Sequence, residues 1–281
     1  MELMKAVRIH DYPADKLQNF LRLNEKSCVQ LCAGIRKNEN GIYVLTDEKN
    51  GEIWGVISTD HSIYHCLPKL KGPDPEFEIC FYSLIGEKIN SVVGDKTGTE
   101  VIVNLLKKKG LKDIYTNEYF LMTKEDDSAL PPPASLLSMG EEIVCCNRTH
   151  ADDLYDLQFH YLKEEVILPG KKTSDLYVRS NVKSILKNQK VFVIESDGKF
   201  VSKVNTNAIG WDWVQIGGVY TDPLYRRNGY SLCLLSALCR RINKQGRKCV
   251  LFVKKKNVPA LKLYEKLDFK KSGEFQITYF E

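Results

Sequence analysis

Apolar and polar positions alternate along two stretches that each fold back on a turn-forming dipeptide. Ile42 to Ser58 turns at Asn50 and Gly51, and Val191 to Asn205 turns at Asp197 and Gly198. Asn-Gly and Asp-Gly accept the positive φ that a two-residue turn demands, so both stretches are predicted hairpins. In the first half a strand, Ile89 to Val93, leads through a Gly-containing loop into a helix, Glu100 to Lys109, and a strand, Asp113 to Met122. In the second half a helix, Ala151 to Leu168, precedes the hairpin. A strand Val214 to Thr221, a loop, a helix Gly229 to Asn243 and a strand Lys248 to Lys254 follow it. Leu232, Leu235, Leu238, Cys239 and Ile242 recur at helical spacing, which makes that helix amphipathic. Asn257 is placed to cap a short helix with Pro259 in its first turn, and Gln276 to Phe280 closes the chain as a strand. The parallel order suggests two diverged copies of one α/β unit; shared βα architecture without duplication accounts for the same order.

Between the halves lies Lys124 to Gly140, where acidic residues give way to Pro131, Pro132 and Pro133 and then to small residues. This reads as a linker and divides the chain into 1–123, a linker 124–140, and 141–281. Two domains suit 281 residues, and a hydrophobic share of 43% is enough to fill their cores. No stretch approaches the ~20 apolar residues that a bilayer span needs, and Met1 to His10 lacks the apolar run of a secretory signal. A soluble, cytoplasmic protein with no membrane partner is expected. The nine cysteines have no paired metal-ligand spacing and are expected as free thiols.

Charge is unevenly divided: 17 basic against 20 acidic residues precede Glu141, and 24 against 16 run from Glu141 onward. The second half therefore favours an anionic partner, and its sequence offers a place for one. Gly217 and Gly218 interrupt a strand, which marks a bulge or the close approach of another group. Beyond Thr221 comes the run Arg226, Arg227, Asn228, Gly229, Tyr230, Ser231, set at the start of the amphipathic helix. Unpaired N–H groups, the positive helix end and the arginines together make an anion site.

At these residues the sequence resembles the GNAT superfamily of N-acetyltransferases. Arg226, Gly229 and Ser231 match its cofactor-loop pattern; Asn257, Ala260, Leu263, Tyr264 and Phe269 match its later one. Ser231 stands where glycine or alanine is usual and Asp268 where glycine is usual; Asp tolerates the left-handed conformation expected there. The resemblance implies an α/β (α+β) fold of two GNAT-like domains, each a mixed, mostly antiparallel twisted sheet flanked by helices. The first would be degenerate, a scaffold or a wall of the acceptor site, and Asn205 to Ile216 would meet it to form a cleft.

The resemblance also implies acetyl-CoA as co-substrate. Val219 and Tyr220 would give backbone contacts to its acetyl and pantetheine part, continued by Thr221. Arg226, Arg227, Asn228, Gly229, Tyr230 and Ser231 would hold the pyrophosphate. Asn257 would position the pantetheine arm on the helix that carries Ala260, and Tyr264 would be the acid beside the thioester sulfur. A tyrosine of pKa ~10 is protonated at neutral pH and able to donate. The reaction would be direct attack by an amine, with Glu164, Glu165 and, less favoured, Asp212 as candidates to accept its proton.

Other constellations carry less. His61, His65 and Cys66 have no second cluster to complete a metal site, so no metal is expected. Of adjacent Cys145 and Cys146, one is expected to be buried and one free. Gly94 to Gly98 lacks the full phosphate-loop pattern, and Thr97 or Thr99 would serve as a helix cap. The acceptor would be a small-molecule or peptide amine, and nucleic acid is not expected. The alternatives are a non-catalytic acyl-CoA sensor and, further off, an aminoacyl-tRNA-dependent transferase, which would not need the cofactor loop.

Overall fold

A computed structural model describes residues 4–86 and 88–281. The first half runs through β1 (Met4–Arg8), α1 (Ala14–Asn24), α2 (Val29–Arg36), β2 (Ile42–Asp47), β3 (Ile53–Ser58), β4 (Ser62–Cys66), α3 (Pro75–Leu84), β5 (Ser91–Asp95), α4 (Lys96–Lys108) and β6 (Asp113–Lys124). The second repeats that order. It comprises β7 (Glu141–Cys146), α5 (Tyr155–Tyr161), α6 (Asp175–Asn188), β8 (Val191–Ser196), β9 (Lys199–Ile209), β10 (Trp213–Thr221), α7 (Tyr230–Asn243), β11 (Lys248–Lys254), α8 (Val258–Lys266) and β12 (Lys270–Phe280). A π-helical turn, Leu162–Val166, continues α5.

Both predicted hairpins form, and Gly51, Asp197 and Gly198 take positive φ at their turns. Asp268 is left-handed as well, with φ 64°. The copies align one unit away from the expected match. By element order β4–α3–β5–α4 corresponds to β10–α7–β11–α8, and both β4·β5 and β10·β11 are parallel pairs. Helix α4 therefore answers to α8, and α3 answers to α7. The cap of α4 also differs from expectation: Asp95, not Thr97 or Thr99, accepts the Gly98 N–H at 2.9 Å.

The twelve strands among the described residues join one sheet in the order β1-β2-β3-β4-β5-β12-β6-β11-β10-β9-β8-β7. The order reads as a mirror about its centre because each half gives its last strand to the other. β6 lies against β11, β12 lies against β5, and the two pair with each other from Lys270–Thr123 to Phe280–Asp113. Helices cover both faces. On β8, Val191 and Val193 pack with α5 and α6 while Phe192 and Ile194 pack with α7, as the period of two requires. Helix α2 reaches across to the second half, where Val29 and Ala33 meet Ala208, Trp213 and Val250 beside Leu121 of β6.

The segment joining the halves is strapped along α7. Leu130 is buried there, the Leu130 and Pro131 carbonyls accept from Arg240 and Ser236, and Asn243 Nδ2 donates to the Glu125 carbonyl at 3.2 Å. All nine cysteines are free thiols; only Cys145 is exposed, while its neighbour Cys146 is buried. Among the described residues no helix is long and apolar enough to cross a membrane.

Candidate functional site

The site begins where two parallel strands part. β10 pairs with β11 from Trp213–Lys248 to Ile216–Leu251, after which β10 runs on to Thr221 and β11 to Lys254 with no further pairing between them. The cause lies on the other edge of β10. Its register against β9 shifts between Gly217 and Tyr220, and Gly218 has φ 60°. Side chains of β9 fill the space that residues 217 and 218 vacate: a Cβ on Gly217 would lie 2.2 Å from Asn207 Nδ2, and one on Gly218 would lie 1.7 Å from Asn205 Oδ1. Both anticipated meanings of the glycine pair, a bulge and a close approach, are realised. Lys203, Asn205 and Asn207, which make that approach, were not singled out in the sequence. Counting back through the β9–β10 turn would set Thr206 opposite Gly217; a register shift after Gln215 brings Asn205 there instead, which residue order does not reveal.

At the end of β10 the chain makes a loop, Asp222 to Gly229, and enters α7. Arg227 and Gly229 are left-handed, φ 73° and 82°, and Gly229 caps the helix without a side chain. The first-turn N–H groups of α7 thus face the loop with no carboxylate or hydroxyl cap in the way. Arg226 folds back, its Nε donating to the Thr221 carbonyl at 3.0 Å and its guanidinium 5.5 Å from the Tyr220 ring centroid. Ser231 makes use of its hydroxyl: Ser202, Thr221 and Ser231 form a chain with 2.8 Å between successive oxygens, tying β9, β10 and α7 together. Asn228 Nδ2 donates to the Tyr225 carbonyl at 3.3 Å, and Tyr230 turns inward, its hydroxyl on Glu141.

Across the opening lies the π-helical turn after α5, and its two glutamates engage opposite ends. Glu164 takes the Arg226 guanidinium on both oxygens, at 3.0 and 2.8 Å, at the loop end. Glu165 pairs with Lys254 at 3.0 Å and accepts from Asn257 Nδ2 at 3.3 Å, at the β11 end. Asn257 also caps α8, accepting the Ala260 N–H at 3.2 Å, and Ala260 packs on the α7 core.

Tyr264 projects from α8 and is buried, with its ring centroid 6.0 Å from that of Phe269. Burial, then the nearby Tyr161 phenol and Glu165 carboxylate, raise its pKa, so the phenol is protonated at neutral pH. Tyr161 is pushed up to about 12 by burial and by Glu165, with a backbone hydrogen bond at Gly218 opposing. Val219 is half-buried on the strand between these groups and the loop. Tyr264, Tyr161, Glu165 and Asn257 therefore gather at one end, with Arg226 and Glu164 at the other. Asp212 stands apart, 3.6 Å from Arg22 of the first half.

The first half grips the β9–β10 turn from below. Buried Glu25 accepts the Asp212 N–H at 3.1 Å and the Trp213 N–H at 3.4 Å, while Arg36 donates to the Ile209 carbonyl at 2.9 Å and to that of Gly210. Burial raises the Glu25 pKa against the pull of those N–H groups. Beside this contact a cavity of about 780 Å³ opens between the halves, lined among others by Gln30, Asp60, Tyr64 and Asn207. Asn207 and Ala208 bring the second half into that cavity's wall.

At the corresponding point of the first half, past the last β4·β5 pair at Tyr64–Val93, stand His65 and Cys66. The His65 ring is fully buried against Gly94 and Gly98, with Nε2 2.9 Å from Thr99 Oγ1. Burial lowers its pKa and Asp95 opposes the shift. Among the described residues no three His, Cys, Asp or Glu side chains gather as a metal site.

Residues 200–278, which span the loop and both flanking strands, match the family model described as FR47-like protein. No curated protein matches in sequence. Solved structures share the whole architecture at low identity. One from Drosophila has a TM-score of 0.70 at 13% identity, covering 100% of this chain and 99% of that one. A tandem GNAT protein from the clavulanic acid biosynthesis pathway has a TM-score of 0.58 at 9% identity, covering 99% and 98%. A putative acetyltransferase of the GNAT family from Novosphingobium aromaticivorans has a TM-score of 0.56 at 14% identity, covering 91% and 96%.

Proposed function

We propose that this chain, a tandem of two GNAT-fold halves, is an acetyl-CoA-dependent N-acyltransferase that works in its second half and delivers the acetyl group to a primary amine. The observation that carries the reading is the joint opening of β10 from β11 and of the α7 N-terminus on the same loop. A long anionic thioester needs both: N–H groups and arginine for its phosphates, and a slot between strand ends for its pantetheine arm. Arg226 must exchange Glu164 for phosphate when the cofactor binds, a swap of one charge-assisted pair for another.

Each residue then has a task. Loop N–H groups from Arg226 to Ser231 hold the pyrophosphate. The free edge of β10 from Gly217 to Thr221 aligns the pantetheine arm by backbone contacts, with Asn257 opposite. The Val219 N–H faces the charge that develops on the acyl oxygen, and a fixed donor there is worth far more in a dry slot than in water. Tyr264, kept protonated, donates to the departing sulfur. Glu165, set beside Tyr161 and Tyr264, is the carboxylate nearest the acyl end and receives the amine's proton directly or through water. Glu164, bound at the phosphate end, is not suited to that task. The amine enters from the cleft between the halves, where Asn207 belongs both to the cavity wall and to the bulge.

A second reading has one observation behind it: Tyr264 is only 7% exposed, as an acyl-CoA sensor without turnover would allow. Calorimetric titration of acetyl-CoA, followed by a thiol-release screen over amines, separates the two. Binding with release supports the transferase, binding without release across the screen supports the sensor, and no binding to the intact protein overturns both. Arg226→Ala and Gly229→Trp are expected to weaken binding by at least about tenfold, since each removes or blocks a charge-assisted contact.

A further inference from the structure

Lys203 lies in the middle of β9 with no exposed surface, and the chemistry above leaves it without a task. Its Nζ donates to the Gly218 carbonyl at 2.8 Å and to Asn205 Oδ1 at 3.0 Å, and lies 4.4 Å from the Tyr161 ring centroid. Asn205 is itself held in place, its Nδ2 donating to Gln189 Oε1 at 2.8 Å and to Asn207 Oδ1 at 3.0 Å, so its oxygen is the atom left to face the lysine. Burial lowers the amine's pKa to about 7, opposed only by Cys146, and no carboxylate pairs with it among the described residues. A methionine of similar length would fill the same volume without that cost.

What the amine does that an apolar chain could not is visible at Gly218. A trans peptide is planar, and its C=O and N–H point in opposite directions. The Gly218 carbonyl and the Val219 N–H belong to one peptide. With the carbonyl drawn to Lys203 on the β9 side, the N–H is turned to the side on which β11 diverges, where the acyl group is expected. Donation to the carbonyl also polarises the peptide and strengthens that N–H as a donor. The left-handed φ of Gly218 leaves the bulge free to adopt other orientations, and the lysine contact selects one.

We infer that Lys203 is a positioning residue for acyl transfer: by holding the Gly218 carbonyl it aims the Val219 N–H at the acyl oxygen. This rests on the transferase reading, and the two can fail separately. The experiment uses the full chain with Lys203→Met, which keeps a long unbranched chain one atom shorter and loses the donor, and Lys203→Gln, which is equally short but keeps a donor. Each is melted to verify folding, titrated with acetyl-CoA by calorimetry and assayed for thiol release with the best amine found for the intact protein.

The Met variant is expected to lose about 10- to 100-fold in kcat, on the scale of a disturbed oxyanion donor, with the acetyl-CoA Kd unchanged within about twofold. The Gln variant is expected to recover part of that loss. A Met variant with kcat within about twofold of the intact protein overturns the inference. So does a loss in which Kd rises as kcat falls, since that marks general damage to the cofactor site. If the Met variant does not fold, Lys203→Leu, which also lacks the donor, is judged by the same criteria. An intact protein that binds no acetyl-CoA overturns the transferase reading first, and the inference with it.

Discussion

The two halves reach the same junction, a strand entering a helix beside a parallel neighbour, and finish it in opposite ways. In the second half, Gly217 and Gly218 follow the last paired residue, the strands part, and α7 begins at Gly229 with no side-chain cap. In the first half, His65 and Cys66 follow the last paired residue, and the imidazole fills the wedge against Gly94, Gly98 and Thr99. The following helix, α3, is closed by Asp74, which accepts the Phe77 N–H at 2.9 Å; Pro75 then removes one donor, and Glu76 and Glu78 add negative charge to the first turn. A helix start can be occupied by its own carboxylate or offered to a ligand's phosphate, but one set of N–H groups cannot serve both. The comparison teaches that a shared fold supplies the junction, and that a few side chains decide whether it is a binding site or a support.

Four substitutions break or sharpen that contrast. The largest effect is expected from Gly218→Val, which would break the bulge that parts β10 from β11. A Cβ there meets Asn205 and Lys203 at a left-handed φ, so a loss on the order of 3 kcal/mol is expected in urea unfolding, and turnover should disappear. Next is Arg226→Glu. Reversing the charge at the open helix start is expected to weaken acetyl-CoA about 100-fold by calorimetry, about 2.7 kcal/mol, with little change in melting temperature.

His65→Ala opens the first-half wedge instead. It is expected to cost about 2 kcal/mol through the cavity and the stranded Thr99 hydroxyl, while leaving acetyl-CoA affinity unchanged. It also changes the response to acid. The folded pKa of His65 lies below its unfolded value, so the unfolded chain binds the extra proton as pH falls below ~6.5, and stability drops there. Unfolding curves between pH 7 and 5 should show that slope in the intact protein and a shallower one in the variant. The smallest effect belongs to Asp74→Ala, about 1 kcal/mol for a lost cap. It should create no acetyl-CoA binding, because Glu76 and Glu78 remain in the first turn.

Much of this was legible in residue order. Turn dipeptides located both hairpins, helical spacing located α7, and Asn257 with Pro259 located α8, because each of these is decided by contacts within a few residues. The loop that enters α7 at an uncapped Gly229 was equally local. Three features were not. The duplication was matched one unit out of step, since α3 is short, enters through the segment Leu67–Pro73 and resembles α7 in little but position. Pairing partners of β6 and β12 were unreadable, because alternation along Tyr115, Asn117 and Tyr119 fixes which face a residue joins and says nothing of which strand lies beside it. Glu164 and Glu165 read as equivalent neighbours, yet adjacent positions on a helical turn point in different directions, and they engage opposite ends of the cleft.

The exchange of final strands bears on how such a protein can change over generations. Delete everything before Glu141 and β11 loses β6, leaving its hydrogen-bonding edge bare, while β12 loses partners on both sides. Delete everything after it and β5 and β6 are stripped in the same way. An exposed edge of that length invites aggregation, so neither remnant is a viable intermediate. Once the last strands had crossed, the second half could no longer shed its twin by losing a stretch of coding sequence. The twin's surface was left free to diverge, while its hold on the sheet was not.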